Sequence, residues 1–222
     1  VWDPRGNLSK RFASVFPEKI MSRHFLPLVF LCILSVFAVS VLAESSVWKF
    51  PVAADSEDLK TAMSALSRSE RISGSFRQTR TVVKINRSFQ STGTFEISRT
   101  EGITWNIEKP FASKMRLTDS SVVQIDSDGN QTIVSSKDNA VFDEISRTML
   151  AVFHGDLSVL KKRFDIYFVQ NKKRKSWQVG LIPREKMIRN AIRSIELQGS
   201  QDLEKVHLVD GEGNLLDYEF GK

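Results

Sequence analysis

The sequence predicts a mainly β, α+β fold, with one large antiparallel sheet and helices gathered on one side of it. From about residue 76 onward, apolar residues recur with a period of two in short runs that turn-forming residues separate. Two stretches with helical periodicity interrupt this pattern, one before the first strand and one in the middle of the chain. Because no repeat or low-complexity linker divides the strands, we predict a single domain over residues 44–222.

The first 43 residues are predicted to lie outside that domain. Residues 25–43 carry no charge, follow a basic residue and end in Val-Leu-Ala, so residues 21–43 show the three-part pattern of a secretory signal peptide, cleaved after Ala43. A run of about 20 apolar residues also suffices to span a bilayer, which makes an uncleaved membrane anchor the alternative. Met21 opens a complete signal, and we interpret residues 1–20, which begin with Val, as a start-site extension.

Composition narrows the class of protein further. The 222 residues contain 32 Lys and Arg against 26 Asp and Glu, a net charge of +6 with a pI near 9.5. Five of the basic residues and two of the acidic ones lie in residues 1–43, so the predicted domain is less basic than the whole chain. The single Cys32 lies in the predicted signal, which leaves the domain without disulfides or thiolate ligands. We expect its core alone to stabilise it.

The first predicted element is an amphipathic helix of about four turns that ends near residues 72–74. Asp55, followed three residues later by Asp58, has the form of a capping box. The preceding residues, 45–54, have no regular pattern, and we interpret them as an irregular lead-in. The apolar stripe of the helix consists of Leu59, Ala62, Met63 and Leu66.

A meander of short strands follows the helix. Gly, Pro, Asp and Ser residues separate the strands, as is typical of hairpin turns. The acidic turn at residues 126–130 resembles the start of a calcium loop, but its Gly is the fourth residue and Lys137 occupies the twelfth position, where such a loop needs Glu. We therefore interpret it as a hairpin turn. The predicted strand segments are 76–78, 94–99, 103–107, 115–117, 122–125 and 131–134.

Helical periodicity returns in the middle of the chain. Ile145, Met149, Val152 and Phe153 form a stripe that predicts a helix over residues 145–153, ended by His154 and Gly155. Asp156 is then predicted to cap a second short helix. Alternating apolar segments resume afterwards, at residues 164–168, 177–181, 194–197, 206–209 and 215–220.

The predicted domain offers little for covalent chemistry. It has no Cys, and its only histidines are His154 and His207. No nucleophile elbow, metal-ligand spacing, carboxylate pair or phosphate-binding glycine loop occurs. We therefore predict no catalytic residue, no metal and no cofactor, and a protein that is not an enzyme.

Two basic clusters occur at residues 161–163 and 172–175. No series of aromatic residues accompanies them, as a protein that stacks on bases would need, so we predict no nucleic-acid partner. We interpret them as solvated surface, and the alternative is a contact with an anionic membrane.

The apolar inventory is unusual for its phenylalanines, since residues 44–222 contain ten Phe but only two Tyr. A sheet of this size can fill its interior with side chains or stay partly open around a cavity. The alternation places Arg99 on the same face as Phe95 and Ile97. It is then either an Arg at a strand end that turns to water, or an Arg at the rim of an apolar cavity that donates to a lid carbonyl when the cavity is empty and to a ligand when it is filled.

Several short motifs occur in a fixed order between residues 55 and 220. They are Gly74-Ser75-Phe76-Arg77-Gln78, the segment from Gly93 to Arg99, Trp105 with Pro110 behind it, and the segment from Met149 to Phe168. This order resembles the LolA family of periplasmic outer-membrane lipoprotein carriers. Thr100 departs from the family pattern, which has Pro after the Arg.

The resemblance implies an unclosed antiparallel β-barrel with an α-helical lid over a hydrophobic cavity that holds acyl chains. It also implies that Arg99 hydrogen-bonds the lid in the closed state and is needed to pass cargo onward. The residues it implies at the ligand are Arg99, Phe95, Ile97, Ile103, Trp105 and Ile107 on the sheet, with Met149, Leu150 and Phe153 on the lid helix.

The function so implied is that of a monomeric periplasmic carrier. It would shield the acyl chains of a lipoprotein or lipid and move them between donor components of the inner membrane and acceptor components of the outer membrane. Two alternatives use the same fold: a factor that senses lipid or lipoprotein or assists envelope assembly, and an enzyme that acts on a lipid-linked intermediate.

Overall fold

The computed structural model of the chain describes residues 46–52, 56–67, 70–135 and 140–221. The predicted start-site extension, 1–20, and signal peptide, 21–43, lie outside the described residues. Contacts gather Val47–Lys222 into one compact unit. Among the described residues, no helix is both long and apolar enough to cross a membrane.

In the described part of the chain, eleven strands form one sheet, and each pairs with its neighbours in antiparallel fashion. The strands are β1 (Arg71–Val82), β2 (Arg87–Ser98), β3 (Gly102–Lys109), β4 (Ser113–Leu117), β5 (Ser121–Ile125), β6 (Gln131–Ser135), β7 (Phe164–Asn171), β8 (Ser176–Pro183), β9 (Ile192–Gly199), β10 (Leu203–Asp210) and β11 (Leu215–Gly221).

The order across the sheet is β6-β5-β4-β3-β2-β1-β11-β10-β9-β8-β7, so β6 and β7 are its two edges and the sheet is not closed into a barrel. The first strand lies at the centre, between β2 and the last strand, β11. The fold class predicted from the sequence, a mainly β chain with an unclosed antiparallel sheet and helices beside it, is confirmed.

The α-helices are α1 (Glu57–Ser67), α2 (Ala140–Phe153), α3 (Leu157–Arg163) and the single turn α4 (Lys186–Arg189). The predicted stripe of α1 is confirmed, because Leu59, Ala62, Met63 and Leu66 are all at most 5% exposed. Helix α2 begins five residues before the predicted start. Helix α4 was not predicted.

The predicted end of the first helix, near residues 72–74, is wrong. Helix α1 ends at Ser67, and β1 begins at Arg71. Cross-strand contacts favour the extended form, because Arg71 donates to both Glu96 and Glu101 (2.5 and 2.9 Å). At the helix start, Ser56 Oγ accepts a hydrogen bond from Leu59 N (3.5 Å), whereas the predicted cap residue, Asp55, lies outside the described residues.

The lead-in is more ordered than predicted. Ser46–Lys49 forms a turn of 3₁₀-helix in which Val47 is fully buried. The chain then runs along the sheet edge, where Val52 N donates to Ile166 O and Phe168 N donates to Phe50 O, both at 3.0 Å. The prediction of an irregular segment is therefore wrong for this part of residues 45–54, because the free edge of β7 supplies backbone partners.

The predicted capping of α3 is confirmed. The Asp156 carboxylate accepts hydrogen bonds from Ser158 N (2.9 Å) and Val159 N (3.3 Å). The hydrogen bond from the Ser158 side chain is the largest cause that holds the pKa of Asp156 below its ordinary value, and the two backbone bonds act in the same direction. The cap thus satisfies two backbone N–H groups at the start of α3. We call α2 and α3 together the lid.

The acidic turn at residues 126–130 is a hairpin turn between β5 and β6, as predicted. The Asp126 carboxylate accepts hydrogen bonds from Asp128 N and Asn130 N, each at 2.9 Å. The carboxylate is thus used to close the turn of its own chain.

Candidate ligand-binding site

One face of the sheet, which we call the inner face, packs against the helices. The register places Phe95 opposite Trp105 and Ile97 opposite Ile103, and directly opposed residues point to the same side of a sheet. All four are at most 7% exposed. In register across the other strands, the inner face continues through Phe76, Leu117, Phe168, Val179, Leu181, Ile195, Leu197, Val206 and Leu208.

The C-terminal end of α2 contacts this face through one aromatic ring. The Phe153 ring centroid lies 5.9 Å from that of Trp105 and 6.4 Å from that of Phe220, both edge-on. Phe95 in turn contacts Phe220 edge-on at 4.9 Å. Each such pair contributes about 0.5–1.5 kcal/mol beyond the area it buries. Aromatic contacts therefore hold the lid helix against the sheet.

The rings in contact on the inner face form what we call the aromatic cluster: Phe76, Phe95, Trp105, Phe153, Tyr218 and Phe220. Three of them were not predicted as site residues: Phe76, Tyr218 and Phe220. Tyr218 stacks on Phe220 with 6.1 Å between centroids and lies 6.2 Å from Phe76. Burial raises the pKa of Tyr218, which keeps its hydroxyl neutral. They join the cluster because β11 pairs with β1, a long-range contact that local periodicity does not contain.

The structure brings most of the predicted apolar site residues together. Leu150 and Phe153 are buried, as are the four sheet residues of β2 and β3, whereas Met149 and Ile107 are half-buried. Ile107 lies opposite Gly93, beside the aromatic cluster. Their contact with a ligand stays a prediction.

Arg99 lies at the end of β2. The strand ends at Ser98, and Arg99 is exposed in the turn that follows, its backbone N donating to Glu70 O (3.1 Å). The bond to Glu70 O extends the register of β1 with β2 by one residue, so the backbone of Arg99 continues the alternation of Phe95 and Ile97 while its side chain is exposed to solvent. Its role at the lid stays a prediction.

Arg99 is nevertheless close to the lid. Burial is the main cause that lowers the pKa of His154, at the end of α2, and the positive charge of Arg99 is the second. A hydrogen bond with the backbone of Ser98 acts in the opposite direction. The end of β2 and the end of the lid helix thus meet at these residues.

The turn between α2 and α3 also touches α1. Gly155 has a φ of +64°, and a Cβ added there would lie 2.5 Å from the carbonyl oxygen of Met63. Only glycine fits this left-handed position against a neighbouring backbone. Helix α1, the lid and the end of β2 therefore form one junction.

Some polar atoms are buried in the inner face and the lid without a hydrogen-bond partner in the described part of the chain. They include Trp105 Nε1, Gln78 Nε2 and Ser146 Oγ. Gln78 is 2% exposed, and its Oε1 accepts a hydrogen bond from Ser91 Oγ (3.1 Å). Most buried donors in proteins have partners, so these three groups are exceptions within the core.

A cleft of about 340 Å³ lies on the lid, open to solvent. It is separate from the aromatic cluster, and its walls carry charges of both signs, which suits water better than an acyl chain. The lining residues are Asp119, Arg147, Leu150, Ala151, His154, Asp156, Val159, Lys162 and Arg163.

The other histidine, His207, lies on the face of the sheet opposite the inner face. His207 Nδ1 lies 2.6 Å from Asp217 Oδ1, and both alternate with inner-face residues, so they lie on the opposite face. This carboxylate is the main cause that raises the pKa of His207. Over the described ranges, no group of three or more His, Cys, Asp or Glu side chains is placed to hold a metal ion.

Solved structures resemble this chain only distantly. A domain from Vibrio parahaemolyticus described as an outer membrane lipoprotein-sorting protein is 8% identical with a TM-score of 0.39, the match covering 74% of this chain and 89% of that one. A LolA superfamily protein from Nitrosomonas europaea is 7% identical with a TM-score of 0.40, and the match covers 74% of this chain and 90% of that one. A DUF1329 family protein from Desulfovibrio piger is 11% identical with a TM-score of 0.36, and the match covers 74% of this chain and 89% of that one. Likenesses this distant support no inference by themselves.

The sequence itself gives the decisive comparison. No curated protein matches it. The sequence model of the family described as outer membrane lipoprotein carrier protein LolA, however, matches residues 67–222, which include every strand of the sheet and the whole lid. This match extends over more than half of the chain, and the chain therefore belongs to the LolA family.

Proposed function

We propose that the protein is a periplasmic carrier that shields the acyl chains of a lipoprotein or lipid and delivers them toward the outer membrane. The observation that carries this proposal is the aromatic inner face, closed over by Phe153 of the lid. Family membership supports the same function. The sheet edges do not join, so the helices can move away from the inner face without breaking a strand pair.

The energetics suit a carrier. Burying one methylene group is worth about 0.8 kcal/mol, so a long acyl chain needs an apolar site to cross water. Opening the lid would separate Phe153 from Trp105 and Phe220, at a cost of about 0.5–1.5 kcal/mol per pair plus the exposed area. An acyl chain that enters would replace those contacts. The free energies of the closed, empty state and the loaded state would then differ by little, which permits both uptake and release of the guest.

The buried donors suggest how the polar end of a guest is held. Trp105 Nε1 and Gln78 Nε2 can donate to the ester or amide carbonyls that join acyl chains to a lipid or lipoprotein. Leaving a buried donor without a partner costs about 1–3 kcal/mol. A guest that supplies the acceptor therefore gains affinity over a plain hydrocarbon.

The proposed function needs no covalent chemistry. The one His–carboxylate pair among the described residues, His207 with Asp217, lies on the face of the sheet opposite the aromatic cluster. A general base there cannot reach a guest held on the inner face. We infer that the protein is a monomeric binding protein, not an enzyme, with membrane components as donor and acceptor.

Native mass spectrometry of the protein purified from the cell that exports it would test this function. We expect a bound acylated species, whose mass identifies lipoprotein or lipid. The recovered protein should then pass that species to acceptor vesicles. A protein that binds acyl groups but only forms a stable complex with another protein would point to a sensor or assembly factor. Chemical turnover of the species that His154→Ala abolishes would point to an enzyme.

A further inference from the structure

The β1–β2 hairpin ends in an exposed apolar turn, residues 83–89, which we call the hairpin tip. Val83, Ile85 and Phe89 have exposed fractions of 54%, 57% and 54%. The pairing of β3 with β2 stops at Thr92, so the hairpin extends past β3. Three large apolar side chains are thus presented to solvent on a protruding part of the fold, which marks an interaction site.

The hairpin tip has a fixed shape. Val83 N donates to Asn214 Oδ1 (3.2 Å), and Asn214 is 4% exposed because Asp210 holds it in the β10–β11 turn. Across the hairpin, the hydroxyls of Thr81 and Ser88 are 2.8 Å apart. The backbone that carries the apolar side chains is therefore held in place before any partner arrives, which lowers the entropic cost of binding.

Basic residues accompany the apolar ones. Lys84 and Arg87, both exposed, lie within the hairpin tip. Hydrogen bonds connect the β10–β11 turn to the next basic segment: Gly211 N donates to Ala191 O (2.9 Å), and Arg193 donates to Gly211 O (2.7 and 3.1 Å).

The end of the sheet that carries the hairpin tip also carries α4 and the C-terminal end of α3. Arg189 donates to Pro183 O (2.9 Å), and Arg184 donates to Lys161 O (3.2 Å). Exposed Met187 adds a fourth apolar side chain. We call the exposed basic residues at this end of the sheet the basic rim; they are Lys162, Arg184, Lys186, Arg189 and Arg193. The exposed acids among them are fewer: Asp165, which pairs with Arg184, Glu185 and Glu212.

We propose that the hairpin tip and the basic rim together dock the protein on an anionic phospholipid bilayer. The apolar side chains would enter the interface between headgroups and acyl chains, while the bases lie at the level of the phosphates. A bilayer fits better than a protein groove because the apolar residues protrude and positive charge surrounds them. The inference rests on the proposed function only in naming the surface by which a carrier meets a membrane.

Flotation with vesicles made of equal parts phosphatidylethanolamine and phosphatidylglycerol tests the proposal without any cargo. The full chain is expressed and the protein recovered in its exported form. We expect it to float with these vesicles, less at high salt, and not with phosphatidylcholine vesicles. Ile85→Ser should weaken partitioning about tenfold, and Lys84→Glu at least about fivefold.

Two variants provide matched controls. Ile133→Ser removes an equally exposed isoleucine (60%) from edge strand β6, and Lys172→Glu reverses a charge in the β7–β8 turn, at the other end of that hairpin. Both should partition like the parent. Equal losses in Ile85→Ser and Ile133→Ser, or a parent that ignores anionic vesicles, would overturn the proposal. If Ile85→Ser weakened only capture by a protein acceptor, the tip would be a protein contact and the bilayer proposal would be wrong.

Binding of a fluorescent acyl probe, measured in parallel, separates this proposal from the proposed function. Because the hairpin tip lies outside the aromatic cluster, Ile85→Ser should bind the probe like the parent. A protein that binds vesicles but no acyl probe would contradict the carrier function alone, and the reverse result would contradict the docking surface alone.

Discussion

The ring of Phe153, the last residue of α2, lies edge-on to the indole of Trp105 in β3, with 5.9 Å between their centroids. The two residues are 48 positions apart in sequence and belong to different layers of the fold. This contact is where the lid meets the inner face. In the proposed function, opening of the lid would break this contact.

Removing the Phe153 ring should destabilise the protein strongly. Phe153→Ala deletes a side chain that is 5% exposed, and we expect the free energy of unfolding to fall by about 3–5 kcal/mol. Urea denaturation measures this loss. Phe111→Ala is the matched control, because Phe111 is 50% exposed and should change the free energy by no more than about 0.5 kcal/mol. Similar losses in both variants would contradict the packing role of Phe153.

Arg99 tests the predicted gate. If its guanidinium holds the lid, Arg99→Leu should leave acyl-probe binding unchanged and slow transfer to acceptor vesicles by roughly tenfold, the effect of one hydrogen bond from a charged group. Arg77→Leu, at an exposed position of β1, should affect neither measurement. Normal transfer by Arg99→Leu would argue against a gating role.

Gly155 tests the junction between the lid and α1. Gly155→Ala places a methyl group against Met63 O and forces Ala into a left-handed conformation. Gly129→Ala imposes the same conformation (φ +82°) with no atom within 4 Å. The second variant should lose about 1 kcal/mol of stability from backbone strain alone, and the first should lose more. Thermal unfolding of the pair isolates the contact with α1, and equal losses would show that the contact yields without cost.

The two histidines should give stability opposite dependences on pH. Burial and Arg99 lower the folded pKa of His154 below the ordinary 6.5, so its contribution is present above that value and is lost as the pH falls through the folded pKa. Asp217 raises the folded pKa of His207, so its contribution is present below 6.5 and is lost as the pH rises through the folded pKa.

Single variants separate these contributions. His154→Gln should flatten the acid side of the stability curve, and His207→Gln should flatten the neutral-to-basic side. Urea midpoints over a series of pH values between about 5 and 8 measure both. If either variant left its side of the curve unchanged, the corresponding histidine would not be linked to folding.

Period-two alternation located most strands because one face of the sheet is buried from β4 across to β7, whereas β5 is half-buried throughout and β6 is mostly exposed. Ile103 and Trp105 alternate with Thr104 and Asn106, and Gln178 separates Trp177 from Val179. Glycine often ends a helix, and Gly74 therefore set the predicted end of the first helix. The partner strand decides otherwise, since Ile72 lies opposite Ile97 in β2.

The other residues of the site could not be predicted from the sequence, because long-range strand pairing brings them together. Phe76 lies opposite Phe220, and 144 residues separate them in the chain. Nothing in the local sequence around Phe220 distinguishes it from an ordinary strand residue. The hairpin tip was missed for a related reason, since the absence of a β3 neighbour beyond Thr92, not hydrophobicity, makes Val83 and Phe89 protrude.

The central place of β1 also sets the order in which the molecule can assemble. Its partner on one side, β2, follows at once and can form a hairpin early, whereas its partner on the other side, β11, is the last strand. Closing a loop of that length is slow, because its entropic cost precedes any reward from contacts. The half of the aromatic cluster that Tyr218 and Phe220 supply is thus completed last. Until then the chain exposes apolar surface, so we expect assistance during folding to matter more than for a fold built from local contacts.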